Sequence, residues 1–165
     1  VLEDDPLLNI RDDSVVTLGR QPDRIILDTN LRVPSTMKMF DVGGQVYIFT
    51  ASINERKKRE IEEAGAIVNR CELSDKTLDL KKVFLKFKEL EINELLVEAG
   101  ARLTGSILKL GFWDELVIYI APKIIGRGGR RALDIPSPEI LSNVLQLNLK
   151  DEKVLGDNIK LVFEK

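Results

Sequence analysis

The sequence predicts an α/β domain: a mixed, mostly parallel central sheet with helices on both faces and a C-terminal antiparallel hairpin. Three observations carry this. Short apolar runs rich in β-branched residues alternate with amphipathic stretches along the chain. Within DELVIYIAP the run YIA is continuous rather than alternating, as in a strand buried on both faces. The tail NVLQLNLKDEKVLGDNIKLVFEK alternates with period two on either side of a turn near Gly156 and Asp157, the pattern of a hairpin.

RIILD, from Arg24 to Asp28, and QVYIFT, from Gln45 to Thr50, are short and bounded by turn residues, so both read as strands. In SINE, Ser52 and Glu55 have capping-box spacing, which predicts a helix through the charged residues 56–64 with Gly65 as its stop. GAIVN continues as a short strand. Leu80, Val83, Phe84, Phe87 and Leu90 then share one helical stripe, with lysines and glutamates on the other faces; the aromatic pair reads as core, not as a cofactor box. ELLVE, residues 94–98, reads as a buried strand ending in a carboxylate, and Leu103, Ile107 and Leu108 put an apolar stripe on a helix after Gly100. KIIGRGGRRALDIPSP, with three glycines, three arginines and two prolines, has no periodicity and predicts a long surface loop. No internal repeat is visible.

The 165 residues suit one domain with a single buried core. A net charge of −2, from 25 basic and 27 acidic side chains mixed along the chain, provides no cationic field for a nucleic-acid backbone. Cys71 is alone and histidine is absent, so neither an internal disulfide nor the usual zinc ligand sets can form. Cys71 itself reads as a small apolar residue rather than a nucleophile. No run reaches membrane-spanning length and no signal peptide is visible, so a reducing cytoplasmic setting is expected. The chain begins without methionine, in what reads as a strand-to-loop passage, and upstream sequence is expected.

Histidine-dependent nucleophile pairs are excluded, and G-x-S-x-G, Walker and G-x-G-x-x-G motifs are absent. What remains is the strand–glycine–helix junction VEAGARLTGS. Its glycine allows a sharp bend, after which the first free amides of the helix, backed by the helix dipole, form a seat for anions such as a pyrophosphate. Thr104 and Ser106 could add hydroxyl donors there, and Gly105 allows a ligand or a neighbouring segment to approach closely. Glycine also serves plain packing at many such junctions, and both readings stand on the residues alone. Glu98, just before the junction, sits where open α/β sheets bind ligands, although an exposed or capping carboxylate fits equally. EDDP sets Asp4 and Asp5 before a turn proline, and Arg11 follows with a guanidinium suited to gripping a phosphate or simply to solvation. GRGGRR reads as a mobile basic loop or an anion-binding one.

The stretches VLEDDPLLNIR, PDRIILDTNLRVP, LLVEAGARLTGSILKLGFWDELVIYIAPKIIG and LGDNIKLVF together resemble the reductase of bacterial riboflavin biosynthesis over nearly the whole chain. That reductase usually forms the C-terminal half of a bifunctional pyrimidine deaminase/reductase. The resemblance implies a dihydrofolate-reductase-like three-layer fold and a cytoplasmic homodimer. It also implies NADPH-dependent reduction of 5-amino-6-(5-phosphoribosylamino)uracil to 5-amino-6-(5-phosphoribitylamino)uracil, with hydride delivered to C1′ through an imine. It implies cofactor contacts at Asp4, Thr29, Gly100, Ala101, Arg102, Leu103, Thr104, Gly105 and Ser106, and substrate contacts at Leu8, Arg11 and Glu98, with the ribose phosphate on Arg11. No metal is implied, and no catalytic proton donor is assigned.

Family members often carry proline and threonine where this chain has Ala101 and Arg102, and Arg102 could reach a cofactor phosphate. The family's first strand, with a lysine and a serine-aspartate-glycine turn, and its deaminase half are expected to lie upstream of Val1 on the same polypeptide. A reductase of the same fold acting on a pterin or diaminopyrimidine, and a non-catalytic nucleotide-binding or oligomerisation domain, are the competing readings. The tail hairpin is a candidate dimer contact. Thr50, Ser52, Arg56 and Lys57 could receive a ribose 2′-phosphate and so select NADPH over NADH, or could cap and solvate a helix.

Overall fold

The computed structural model describes residues 2–137, 140 and 144–165. They form two compact units, Val1–Asn93 and Glu94–Lys165.

In the first unit β1 (Arg24–Leu27), β2 (Val46–Thr50) and β3 (Ala66–Arg70) form a parallel sheet in the order β1-β2-β3, with Ile26 opposite Ile48 and Ile48 opposite Val68. Side chains alternate between the faces of a strand, so these residues divide into two apolar sets. Ile26, Val46, Ile48, Ala66 and Val68 cluster with Ile61 of helix α1 (Glu55–Glu63), whereas Phe49, Ile25, Leu27 and Tyr47 cluster with Val83 and Phe87 of helix α2 (Leu80–Glu89). The parallel sheet is thus covered by helices on both faces, as predicted. The single core expected from chain length is, in this unit, two clusters separated by the sheet.

Helix α1 starts two residues later than the capping-box spacing suggests. Asn54 is the N-cap, its side chain accepting from the Lys57 amide at 3.0 Å, while the Ser52 hydroxyl accepts from the Asn54 amide at 3.2 Å. An N-cap must directly precede the first helical residue, and Ser52 lies two residues upstream. Gly65 follows the helix with φ +98°, a left-handed conformation that suits the predicted stop. Between β3 and α2, β4 (Leu73–Ser74) and β5 (Thr77–Leu78) form a small hairpin. Its turn residues, Asp75 and Lys76, both have positive φ, and without glycine that turn is invisible in the sequence. Arg24 is buried, its Nη2 donating to the carbonyls of Val42 at 2.8 Å and Gly44 at 2.9 Å, which ties the loop before β2 to the start of β1. Burial pushes its pKa down, and Asp23 acts the other way.

The second unit contains helix α3 (Ala101–Leu110) and strands β6 (Glu115–Ile120), β7 (Asn148–Leu155) and β8 (Asn158–Glu164), paired antiparallel in the order β6-β8-β7. The predicted tail hairpin is β7–β8, turning at Gly156 and Asp157. Two expectations fail here. Residues 94–98 form no strand, and Leu96 is 81% exposed. Apolar character favours a strand only where a neighbour completes the hydrogen-bond ladder, and no described strand pairs with this segment. Nor is β6 buried on both faces: Tyr119 is 64% exposed, because an apolar run becomes covered only if another layer packs over it. The predicted loop between β6 and β7 is irregular throughout residues 121–137.

Candidate functional site

The helix side of the junction forms as expected, whereas its strand side does not. Gly100 is the N-cap in extended backbone, no side chain caps the helix, and no acidic residue lies in its first turn. The first intrahelical bond runs from the Thr104 amide to the Gly100 carbonyl, at 3.2 Å. The amides of Ala101, Arg102 and Leu103 therefore precede the hydrogen-bond ladder and form the positive end of the helix dipole. The hydroxyls expected to assist turn elsewhere: Thr104 Oγ1 donates to the Ala99 carbonyl at 3.3 Å and Ser106 Oγ to the Arg102 carbonyl at 2.9 Å. In a helix, a serine or threonine hydroxyl reaches its own preceding turn more readily than anything outside it.

The structure joins two motifs that are separate in the sequence. Arg130 and Arg131 of the GRGGRR loop, with Ala132 and Asp134, line one cleft of about 890 Å³ together with Ala99, Gly100, Ala101 and Arg102. The Asp134 amide donates to the Ala101 carbonyl at 3.1 Å, which pins the loop to the first turn of the helix. Gly105 makes that approach possible: a Cβ there would lie 2.5 Å from the Asp134 carbonyl oxygen. The close approach foreseen at Gly105 is thus made by the protein's own loop. Gly105→Ala gains helix propensity of at most about 1 kcal/mol, but the clash is with backbone that no rotamer change can move. A net loss of about 1–2 kcal/mol is expected, read as a Tm lower by about 2–8 °C, and an unchanged Tm would show that the loop shifts freely.

In the first unit, Thr29 follows β1, its carbonyl accepting from the Ala51 amide at 3.1 Å and from Thr50 Oγ1 at 3.2 Å. It lies at the C-terminal end of parallel strands, the edge at which open α/β sheets receive ligands. Buried Asp28 shapes this turn, its Oδ2 accepting from the Val33 amide at 2.8 Å and its Oδ1 from the Asn30 amide at 3.3 Å. Asp4 is exposed in the turn over residues 2–4; its neighbour Asp5 accepts from the Lys38 amide at 3.1 Å. Leu8 is half-buried with φ +48°. For a leucine that left-handed backbone costs about 1–2 kcal/mol. Arg11 is exposed, one residue beyond an anchor in which the Ile10 amide donates to Gln21 Oε1 at 2.9 Å.

Glu98 is exposed on the irregular segment before α3, not at the end of a buried strand. Thr50 is buried in the Thr29 turn, Ser52 braces Asn54, and Lys57 pairs with Glu60 at 2.7 Å, so these residues serve the turn and helix α1. Burial pushes the half-buried Cys71 thiol up in pKa, against the pull of Lys86, which keeps it a weak nucleophile. Asp134 had no sequence signal, because nothing within a few residues of it marks contact with the helix 33 positions upstream that begins at Ala101.

The family model of the RibD C-terminal domain matches residues 1–161. The riboflavin biosynthesis protein RibD of Aquifex aeolicus is 37% identical over 167 residues, covering 100% of this chain and 44% of its own length. A Buchnera aphidicola protein named 5-amino-6-(5-phosphoribosylamino)uracil reductase is 28% identical over 174 residues, covering 99% of this chain and 81% of its own length. Among solved structures, Acinetobacter baumannii RibD, form 2, matches with a TM-score of 0.84 at 28% identity, over 99% of this chain and 44% of that one. The chain therefore spans less than half the length of these RibD proteins. The fold likeness accords with the dihydrofolate-reductase-like class expected from the resemblance. The chain belongs to the RibD C-terminal domain family.

Proposed function

We propose that the protein containing this chain reduces 5-amino-6-(5-phosphoribosylamino)uracil to its ribitylamino counterpart with NADPH. The observation that carries the cofactor side is the uncapped amide mouth of α3, opening on a cleft lined by Arg102, Arg130 and Arg131. Free amides, a helix dipole and guanidinium groups fit a dinucleotide pyrophosphate. NADPH supplies the hydride, while the chain's residues bind and orient. Family membership and the activity in the name of the Buchnera relative support the substrate assignment.

In this reading the amides of residues 101–103 seat the pyrophosphate, and Asp4 and Thr29 contribute further cofactor contacts. Arg11 holds the ribose phosphate, Leu8 packs against the substrate, and Glu98 accepts hydrogen bonds from the ribose or pyrimidine end. Titrating the full-length protein should quench NADPH fluorescence, and NADPH should be oxidised when the phosphoribosylaminopyrimidine is added but not with pterin or dihydrofolate. Cofactor binding with no oxidation in the presence of that substrate would reject the assignment. Glu98→Gln keeps the shape but weakens a charge-assisted hydrogen bond, so kcat should fall about tenfold with Tm unchanged. Equal kcat in the variant would remove Glu98 from substrate positioning.

A further inference from the structure

The cleft that holds three arginines also holds a counter-charge to two of them. Asp134 Oδ2 lies 3.7 Å from Arg102 Nε, and its Oδ1 lies 3.8 Å from Arg131 Nη1. The carboxylate is 45% exposed and the two guanidinium side chains are 95% and 83% exposed, so both pairs are loose and solvent-screened. The backbone of Asp134 is nonetheless held in place, by the hydrogen bond its N–H donates to the Ala101 carbonyl and by the close approach that Gly105 permits. Among the residues lining the cleft, Asp134 is the acidic one.

We propose that Asp134 is a built-in counter-anion that competes with a nucleotide phosphate for Arg102 and Arg131 and thereby sets the cofactor's affinity and release. This rests on the nucleotide reading of the cleft above. An exposed carboxylate pair is weak, whereas a phosphate offers more charge and more acceptor oxygens to the same guanidinium groups, so exchange runs toward the ligand. The carboxylate stays close by because its backbone is pinned. It lowers the net attraction for the bound phosphate and reclaims the arginines when the oxidised nucleotide leaves.

The test uses the full-length protein with Asp134→Asn, NADPH titrated by fluorescence and inorganic pyrophosphate by calorimetry. The variant should bind both about three- to tenfold more tightly at low ionic strength, with the gain shrinking as added salt shortens the Debye length. In an Arg102→Gln/Arg131→Gln background the same substitution should bring no gain. Unchanged or weaker pyrophosphate binding by Asp134→Asn overturns the inference, as does a gain that survives loss of both arginines. Asp134→Ser provides a second neutral variant should the asparagine one misfold. A wild-type protein that takes pyrophosphate but ignores NADPH would overturn the functional reading, while the pyrophosphate arm would still decide the role of Asp134.

Discussion

Replacing Arg11 with alanine is expected to raise the KM for the phosphorylated pyrimidine about 30- to 100-fold, equivalent to about 2–3 kcal/mol of lost charge-assisted hydrogen bonding. Arg11 is exposed, so its removal neither opens a cavity nor strands a buried partner, and Tm should stay within about 1 °C of the wild type. A phosphate grip remote from the reacting carbon holds ground state and transition state alike. The loss should therefore fall on KM with kcat little changed. Arg11→Lys should recover only part of it, because an ammonium provides a point charge where the guanidinium provides a planar fork. Steady-state kinetics on the full-length protein decide the matter, with a KM that does not move counting against any phosphate role for Arg11.

Phe87→Ala should lower the unfolding free energy by about 3–5 kcal/mol, the range for truncating a buried aromatic. Phe87 is 6% exposed, stands edge-on to Phe49 with ring centroids 5.2 Å apart, and touches Phe84 at the same centroid separation. It joins α2 to the parallel sheet, and its loss removes both apolar burial and an edge-to-face contact. Denaturant titration should show a markedly lower midpoint, with the NADPH dissociation constant of the remaining folded protein unchanged. That second readout separates core from cofactor box: a variant of normal stability that no longer binds cofactor would assign the ring to the site.

The elements that local pattern specifies were legible. Short apolar runs marked β1, β2 and β3, period-two alternation marked the β7–β8 hairpin, and the 3.6-residue stripe through Val83 and Phe87 marked α2, because each signal is complete within a few neighbouring residues. The junction at Gly100 was legible for the same reason, since an uncapped helix start after glycine is a property of one short stretch. Where the sequence misleads, the deciding partner is distant or absent from the pattern. Residues 94–98 have strand composition but no ladder partner among the described residues, and the apolar run of β6 has one face exposed and the other half-buried along most of its length. Thr104 and Ser106 look like ligand donors until the carbonyls of Ala99 and Arg102 are seen to accept their protons.

Most of the helices and strands, and the start of α3 directly after Gly100, were thus set by local sequence, because they follow from backbone geometry and side-chain periodicity over short spans. Only the tertiary fold brings a basic loop beside that helix start, lets Gly105 admit the backbone of Asp134, and stands a carboxylate between two of the arginines. Contacts across some 30 residues are settled by the folding of the intervening chain, which leaves no periodicity in the residues that finally meet.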